Sequence, residues 1–164
     1  MNKTALALFI SALIAQPLFA ELDKEKLFGR RVYNQKKSSV KTEELDAKVY
    51  GIYFSAHWCP PCRQFTPLLV DAYNKINETG GSFKIIFVSW DHTEAEQFEY
   101  MKEMNMPWYV VKFHCAEAEK LKNKYSVDSI PRLVIIDSEG TLITKDARAD
   151  VMKLGSEVYE KWIQ

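Results

Sequence analysis

Cys59 and Cys62 are the residues of this chain best suited to chemistry. They lie in the stretch HWCPPC, separated only by Pro60 and Pro61. Two thiols at this spacing can form a reversible disulfide, supply half of a metal site, or cross-link the chain structurally. A disulfide that closes so short a loop removes little entropy from the unfolded chain, so a structural cross-link explains the pair poorly. Redox chemistry and metal binding remain.

Metal binding needs further ligands, and the chain offers few. A structural zinc site takes four side chains, usually from two closely spaced pairs. The other candidate ligands are Cys115, His57, His92 and His114. None of these forms a second close pair, and Arg63 stands where haem attachment needs a histidine. We predict no cofactor and no resident metal, with a copper carrier built on the cysteine pair and a histidine as the alternative.

Hydrophobic patterning places the cysteine pair between a strand and a helix. Lys48 to Ala56 is apolar, β-branched and aromatic, which is typical of a buried strand. From Pro60 to about Asn77, apolar residues recur at helical spacing. The first N–H groups of a helix are unpaired and its dipole is positive there, so a cysteine at that end has a lowered pKa. The first cysteine is the expected nucleophile, and the second, one turn further in, is placed to resolve a mixed disulfide.

Strands and helices alternate along the rest of the chain. Further strands are predicted over 83–90, 133–137 and 141–144, with short runs at 32–33 and 39–40 that could form a hairpin. Further helices are predicted from Thr93, with Glu96 completing a capping box, from about Ala116, and over the amphipathic tail 150–163. This order predicts an α/β fold, a three-layer α/β/α sandwich with a mixed central sheet, in one domain over 21–164.

The first twenty residues have the layout of a secretory signal peptide. Lys3 precedes the apolar run ALALFISALIA, and Ala20 supplies a small residue at the end. The run is too short to span a bilayer comfortably. We expect cleavage after Ala20 and a periplasmic or secreted protein without stable membrane insertion, an uncleaved N-terminal anchor being the alternative.

Charge composition narrows the class of partner. Lysine plus arginine and aspartate plus glutamate number 22 each. Balanced charge gives no electrostatic footprint for nucleic acid or for an anionic membrane surface. We therefore predict protein or small-thiol partners, no nucleic acid, and a monomer.

The chain resembles the tryparedoxin and nucleoredoxin branch of the thioredoxin superfamily. The matching stretches are YFSAHWCPPCRQFTPLL (53–69), FVSWD (87–91), MPW (106–108), YSVDSIPRLVIID (125–137) and the arginine of DARADV. WCPPCR followed by FTP is quite specific to this branch. The resemblance implies a thioredoxin fold and reversible dithiol–disulfide exchange, with Cys59 attacking and Cys62 resolving.

The resemblance also implies a partner-binding surface around the pair. Its residues would be Trp58, Pro60, Pro61, Ile130, Pro131 and Arg148. Pro131 would be cis and leave the backbone of residue 130 free to pair with an extended peptide. Arg148 would lie near the site and hold a partner's carboxylate or favour the thiolate, unless it is only a solvated charge.

Tyr53 stands where thioredoxins usually bury an aspartate. A phenol is a poor base at neutral pH, so we expect a core aromatic with its hydroxyl satisfied. Cys115 is expected to be an unpaired buried thiol, with a redox-sensitive third cysteine as the alternative. A protonated His57 would add positive charge near Cys59.

Export distinguishes this chain from cytosolic tryparedoxins. The N-terminal segment looks bacterial in length and layout. The prediction is an exported thiol–disulfide oxidoreductase that reduces protein disulfides in the cell envelope and draws electrons from an upstream thiol donor.

Overall fold

A computed structural model describes residues 21–164. The predicted signal peptide falls on residues 1–20 and lies outside the described residues. The strands are β1 Arg31–Tyr33, β2 Ser39–Lys41, β3 Val49–Ser55, β4 Phe83–Ser89, β5 Tyr109–Val110, β6 Arg132–Asp137 and β7 Leu142–Thr144. The α-helices are α1 Lys24–Phe28, α2 Pro60–Glu78, α3 Glu94–Glu103, α4 Ala116–Tyr125, α5 Arg148–Leu154 and α6 Val158–Trp162, with 3-10 turns at Thr42–Glu44 and Gly155–Glu157.

All seven strands form one mixed sheet in the order β2-β1-β5-β4-β3-β6-β7. β3 pairs parallel with β4 and antiparallel with β6, while β4 pairs parallel with β5. β1 and β2 form the expected hairpin, with Val32 opposite Val40. All residues of β3 are buried, because it is a central strand and hydrophobic cores cover both faces of the sheet. The mixed sheet of the prediction is confirmed, and the segment after β3 leaves from the middle of the sheet.

Residues of β3 alternate between two hydrophobic cores on opposite faces of the sheet. Tyr53 belongs to the core packed under α2, α3, α5 and α6. Ile52 and Phe54 belong to the core packed under α1 and α4. Helices therefore cover both faces, as the predicted three-layer arrangement requires. Within residues 21–164 no helix has the length and apolar character needed to cross a membrane.

The C-terminal tail differs from its prediction as one amphipathic helix. Gly155 adopts φ +56° and ends α5, a 3-10 turn follows, and α6 begins at Val158. A positive φ is accessible to glycine at little cost and interrupts the helix. Val151, Val158 and Trp162 nevertheless enter the same core. The periodicity therefore predicted correctly which residues are buried, but the prediction of a single continuous helix was wrong.

Candidate active site at the end of strand β3

Cys59 and Cys62 form a disulfide at the start of α2. Cys59 is the N-cap of α2, with extended backbone, and Pro60 and Pro61 occupy the first two helical positions. Proline is well suited there because its missing N–H would have no partner in the helix. Cys59 is 4% exposed and Cys62 is fully buried. The reduced Cys59 would lie at the positive end of a 19-residue helix, which favours its thiolate.

The loop between β3 and α2 is anchored by the buried carboxylate of Asp91. The backbone N–H of His57 donates to Asp91 Oδ1 over 2.6 Å, and Ser89 Oγ donates to Asp91 Oδ2 over 2.8 Å. Burial raises the pKa of Asp91, although both hydrogen bonds oppose that shift. Asp91 ends the FVSWD stretch, whose sequence alone does not indicate this anchoring role.

Trp58 is exposed beside the disulfide. Its side chain is 52% exposed, and its Nε1 donates to the carbonyl oxygen of Trp90 over 3.0 Å. The Trp58 ring stacks on His92 with centroids 5.9 Å apart. One face of this indole is therefore open to a partner, as the predicted partner-binding role requires.

Ile130 lies against the cysteine pair although 71 residues separate it from Cys59 in sequence, and Pro131 follows it directly. Their peptide bond is cis, as expected. Cys59 Sγ lies 3.9 Å from the carbonyl oxygen of Ile130. Ile130 and Trp90 both pack on a small cluster formed by the two cysteines and Ala56. One of the predicted partner-binding residues, Ile130, thus adjoins the sulfur of the expected nucleophile.

Arg148 is engaged by a carboxylate of its own chain. Its Nε donates to Asp146 Oδ1 over 2.9 Å and a terminal guanidinium nitrogen donates to Oδ2 over 2.6 Å. Burial alone would raise the pKa of Asp146, but the hydrogen bonds from Arg148 outweigh it and the pKa is lowered. Within the described residues, none of the hydrogen bonds or ion pairs of Arg148 reaches the cysteine pair. A partner's carboxylate would have to compete with Asp146.

A buried hydroxyl network lies behind Cys62. Thr66 Oγ1 donates to the carbonyl oxygen of Cys62 over 2.8 Å. The same oxygen is 2.8 Å from the Tyr53 hydroxyl and 2.7 Å from that of Tyr100, which also contacts Ser55 Oγ at 3.0 Å. Burial raises the pKa of the Tyr53 phenol well above its ordinary value. Tyr53 is therefore a core aromatic whose hydroxyl is satisfied, as predicted.

Glu103, at the C-terminal end of α3, joins the residues on both sides of the cysteine pair. His57 Nε2 donates to Glu103 Oε2 over 2.7 Å, and Arg63 donates to both carboxylate oxygens over 3.1 and 2.6 Å. Hydrogen bonds from Arg63 first, and then from His57, lower the pKa of Glu103 to about 2. Glu103 was not among the predicted site residues, because it belongs to none of the recognised motifs and meets His57 and Arg63 only through the packing of α3.

Cys115 and the metal-binding alternative are the last two candidates from the sequence. Cys115 is a free, half-buried cysteine at the N-cap of α4, and burial raises the pKa of its thiol. The copper alternative would use the His57 imidazole, which instead binds Glu103. In the described part of the chain, no group of three or more histidine, cysteine or acidic side chains is arranged to hold a metal ion.

Comparison with known proteins places the chain among redox proteins. A family model described as thioredoxin-like matches residues 46–142. Nucleoredoxin of Danio rerio is 39% identical over 129 residues, covering 78% of this chain and 30% of that protein. Nucleoredoxin of Mus musculus is 42% identical over 115 residues, covering 70% of this chain and 26% of that protein. The chain thus spans about a third or less of the length of these nucleoredoxins.

The solved structures are matched over most of their own length. A thioredoxin from Wuchereria bancrofti has a TM-score of 0.72 and 42% identity, covering 88% of this chain and 98% of that one. Tryparedoxin II from Crithidia fasciculata has a TM-score of 0.73 and 34% identity, covering 80% of this chain and 92% of that one. These matches confirm the predicted thioredoxin fold. The chain belongs to the thioredoxin-like family, with nucleoredoxins and tryparedoxins among its relatives, and it carries a Cys59–Cys62 disulfide.

Proposed function

We propose that this protein reduces disulfides in partner proteins and regenerates its own dithiol from an upstream thiol donor. The observation on which the proposal rests is the position of Cys59 Sγ, 3.9 Å from the carbonyl oxygen of Ile130 and beside the exposed Trp58. An extended peptide can pair through its backbone with such a segment, as in strand addition. The peptide's own cysteine would then lie next to the attacking sulfur.

The exchange proceeds in two steps that balance in electrons and protons. In the reduced protein, the Cys59 thiolate attacks one sulfur of the partner's disulfide, forming a mixed disulfide and releasing the other partner sulfur as a thiolate. Cys62 then loses its proton and attacks Cys59, which releases the second partner sulfur. Two electrons pass to the partner, whose two thiolates take up the proton lost by Cys62 and one proton from solvent, which replaces the one released when Cys59 ionised. The Cys59–Cys62 disulfide is the product on this chain.

Similarity to a thioredoxin supports electron flow from this protein to its partners. Thioredoxin has a potential near −270 mV, whereas strongly oxidising periplasmic enzymes lie near −120 mV. We propose that the reduction potential of the Cys59–Cys62 couple lies near that of thioredoxin. We also propose that the active unit is a monomer. Equilibration with glutathione or dithiothreitol measures the potential. A value close to the oxidising group would contradict the reductase assignment.

The compartment proposed is outside the cytosol, in a cell envelope or secreted. The apolar run ALALFISALIA after Lys3 supports export, and the bacterial origin of the chain stays a prediction. Expression of the full chain in a bacterial host, followed by fractionation and intact-mass measurement, tests it. A periplasmic species that begins at Glu21 is expected, and a full-length cytosolic species would contradict export.

Trapping of the mixed disulfide tests the chemistry. We predict that Cys62→Ser accumulates a covalent complex with a peptide containing one disulfide, because the resolving thiol is gone. Non-reducing electrophoresis and mass spectrometry should assign the link to Cys59. Cys115→Ser is the matched control and should exchange like the parent protein. A link through Cys115, or none at all, would overturn the assignment of Cys59 as nucleophile.

A further inference from the structure

Two basic side chains flank the cysteine pair in sequence and share one carboxylate. His57 precedes Cys59 by two residues, and Arg63 directly follows Cys62. Both donate to Glu103, with donor–acceptor distances of 2.7 Å from the imidazole and 2.6 and 3.1 Å from the guanidinium. Because a carboxylate can only accept hydrogen bonds, the imidazole nitrogen facing it carries hydrogen. Glu103 therefore fixes both groups at once.

The location of Glu103 is unfavourable for its own helix. It is the last residue of α3, where the helix dipole disfavours negative charge. The contacts with His57 and Arg63 offset this, and they hold the pKa of Glu103 at about 2. The other groups around the imidazole are Tyr100, which stacks on its ring at 5.6 Å, and Asp91, which accepts from the backbone N–H of His57. At neutral pH Glu103 is thus an ionised carboxylate in contact with the two side chains that flank the redox pair in sequence.

We propose that Glu103 is a positioning residue that makes the Cys59–Cys62 couple more reducing. Its contacts fix the Arg63 guanidinium and the His57 imidazole, and its negative charge compensates that of the guanidinium. This compensation lowers the positive potential at the start of α2, where the Cys59 thiolate forms. Reduction of the disulfide takes two electrons and two protons, and Cys59 then ionises in part. Destabilising that thiolate favours the disulfide and so strengthens the protein as a reductant.

The charge-removing variant Glu103→Gln tests this role. The arginine would keep its charge without compensation, so the Cys59 thiolate would gain stability. We expect the equilibrium constant for reduction by glutathione to rise roughly threefold, an effect typical of partly screened surface charges. For a two-electron couple, threefold corresponds to about 14 mV towards less reducing potentials. The pKa of Cys59, measured from the pH dependence of alkylation, should fall in the same variant.

Two further variants separate the role of this carboxylate from net charge and from folding. Glu99→Gln removes the same charge from an exposed position on the same helix and should leave potential and thiol pKa unchanged. Glu103→Asp keeps the charge and should retain most of the parent potential. The proposal is overturned if Glu103→Gln leaves both quantities unchanged, or if Glu99→Gln shifts them equally. Thermal unfolding of each oxidised variant shows whether the fold is intact.

The role proposed for Glu103 depends on the Cys59–Cys62 couple and not on the proposed direction of electron flow. A parent protein with an oxidising potential would overturn the reductase proposal and leave the effect of Glu103 measurable. An unchanged potential in Glu103→Gln would overturn the role of Glu103 alone.

Discussion

Thr66 connects the redox pair to the core at the scale of single residues. It is fully buried, and its one hydroxyl contacts the Cys62 carbonyl and the phenols of Tyr53 and Tyr100. Buried polar groups that lose a partner cost more than the hydrogen bond itself contributed, because water cannot replace it. The threonine therefore matters through the two tyrosines as much as through its own bond.

We predict that Thr66→Val destabilises the fold by about 1–3 kcal/mol, since it leaves the Tyr53 phenol without its threonine partner. Urea unfolding measures the change. Thr79→Val is the matched control, because Thr79 makes the same bond to a backbone carbonyl four residues earlier but is exposed. Equal losses in the two variants would show that the buried network contributes nothing beyond one local hydrogen bond.

The sequence alone identified the residues whose roles are local or fixed by motif. Cys59 and Cys62 followed from their spacing and from the strand-to-helix junction, and Pro131 followed from the family resemblance. Glu103 did not, because its position beside His57 depends on how α3 crosses the sheet relative to α2. Glu103 belongs to none of the motifs that carry the resemblance, and hydrophobic periodicity does not predict its contact with His57, 46 residues away.

At the scale of elements, α3 is held at its first turn by a capping box. Thr93 Oγ1 accepts from the N–H of Glu96, and Glu96 Oε2 accepts from the N–H of Thr93, both over 3.2 Å. The same carboxylate accepts from the N–H of His92 over 2.9 Å. The cap therefore fixes the start of the helix whose other end carries Glu103.

We predict that Thr93→Ala lowers the free energy of unfolding by about 1 kcal/mol, the usual value of an N-cap hydroxyl. Thr93→Ser keeps an acceptor oxygen and should lose less. Chemical denaturation of both variants measures the difference. If the two variants are equally destabilised, the hydroxyl is not the stabilising group and the lost methyl contacts are.

Elements with a clear periodicity or cap were predictable, and very short ones were not. β3, β4 and α2 were predicted within about two residues of their observed ends. β5 has only two residues, and α1 has five and depends on the Asp23 side chain as its cap. Elements this short show no full period of hydrophobicity, so they take their form from tertiary contacts.

At the scale of the whole molecule, one core supports both the redox site and the C-terminus. Tyr53 and Phe65, which lie behind the cysteine pair, share a core with Val158 and Trp162. Trp162 packs on Phe83 with ring centroids 5.1 Å apart and is only 4% exposed. Helix α6 therefore closes the face of the sheet on which α2 lies.

The C-terminal helix offers the sharpest test of this shared core. We predict that Trp162→Ala costs about 3–5 kcal/mol, because a large buried ring is replaced by a cavity. That is a large part of the roughly 5–15 kcal/mol by which most domains are stable. Ile163→Ala, at a neighbouring residue that is 44% exposed, should cost far less. Urea unfolding, monitored by near-ultraviolet circular dichroism, measures the stability of the two variants. The thiol exchange rate is measured at the same urea concentrations.

Because the site and α6 share one core, exchange activity should be lost in the same transition as the tertiary signal. If activity survives loss of that signal, the redox site folds independently of the C-terminal helix and the shared core is not one cooperative unit.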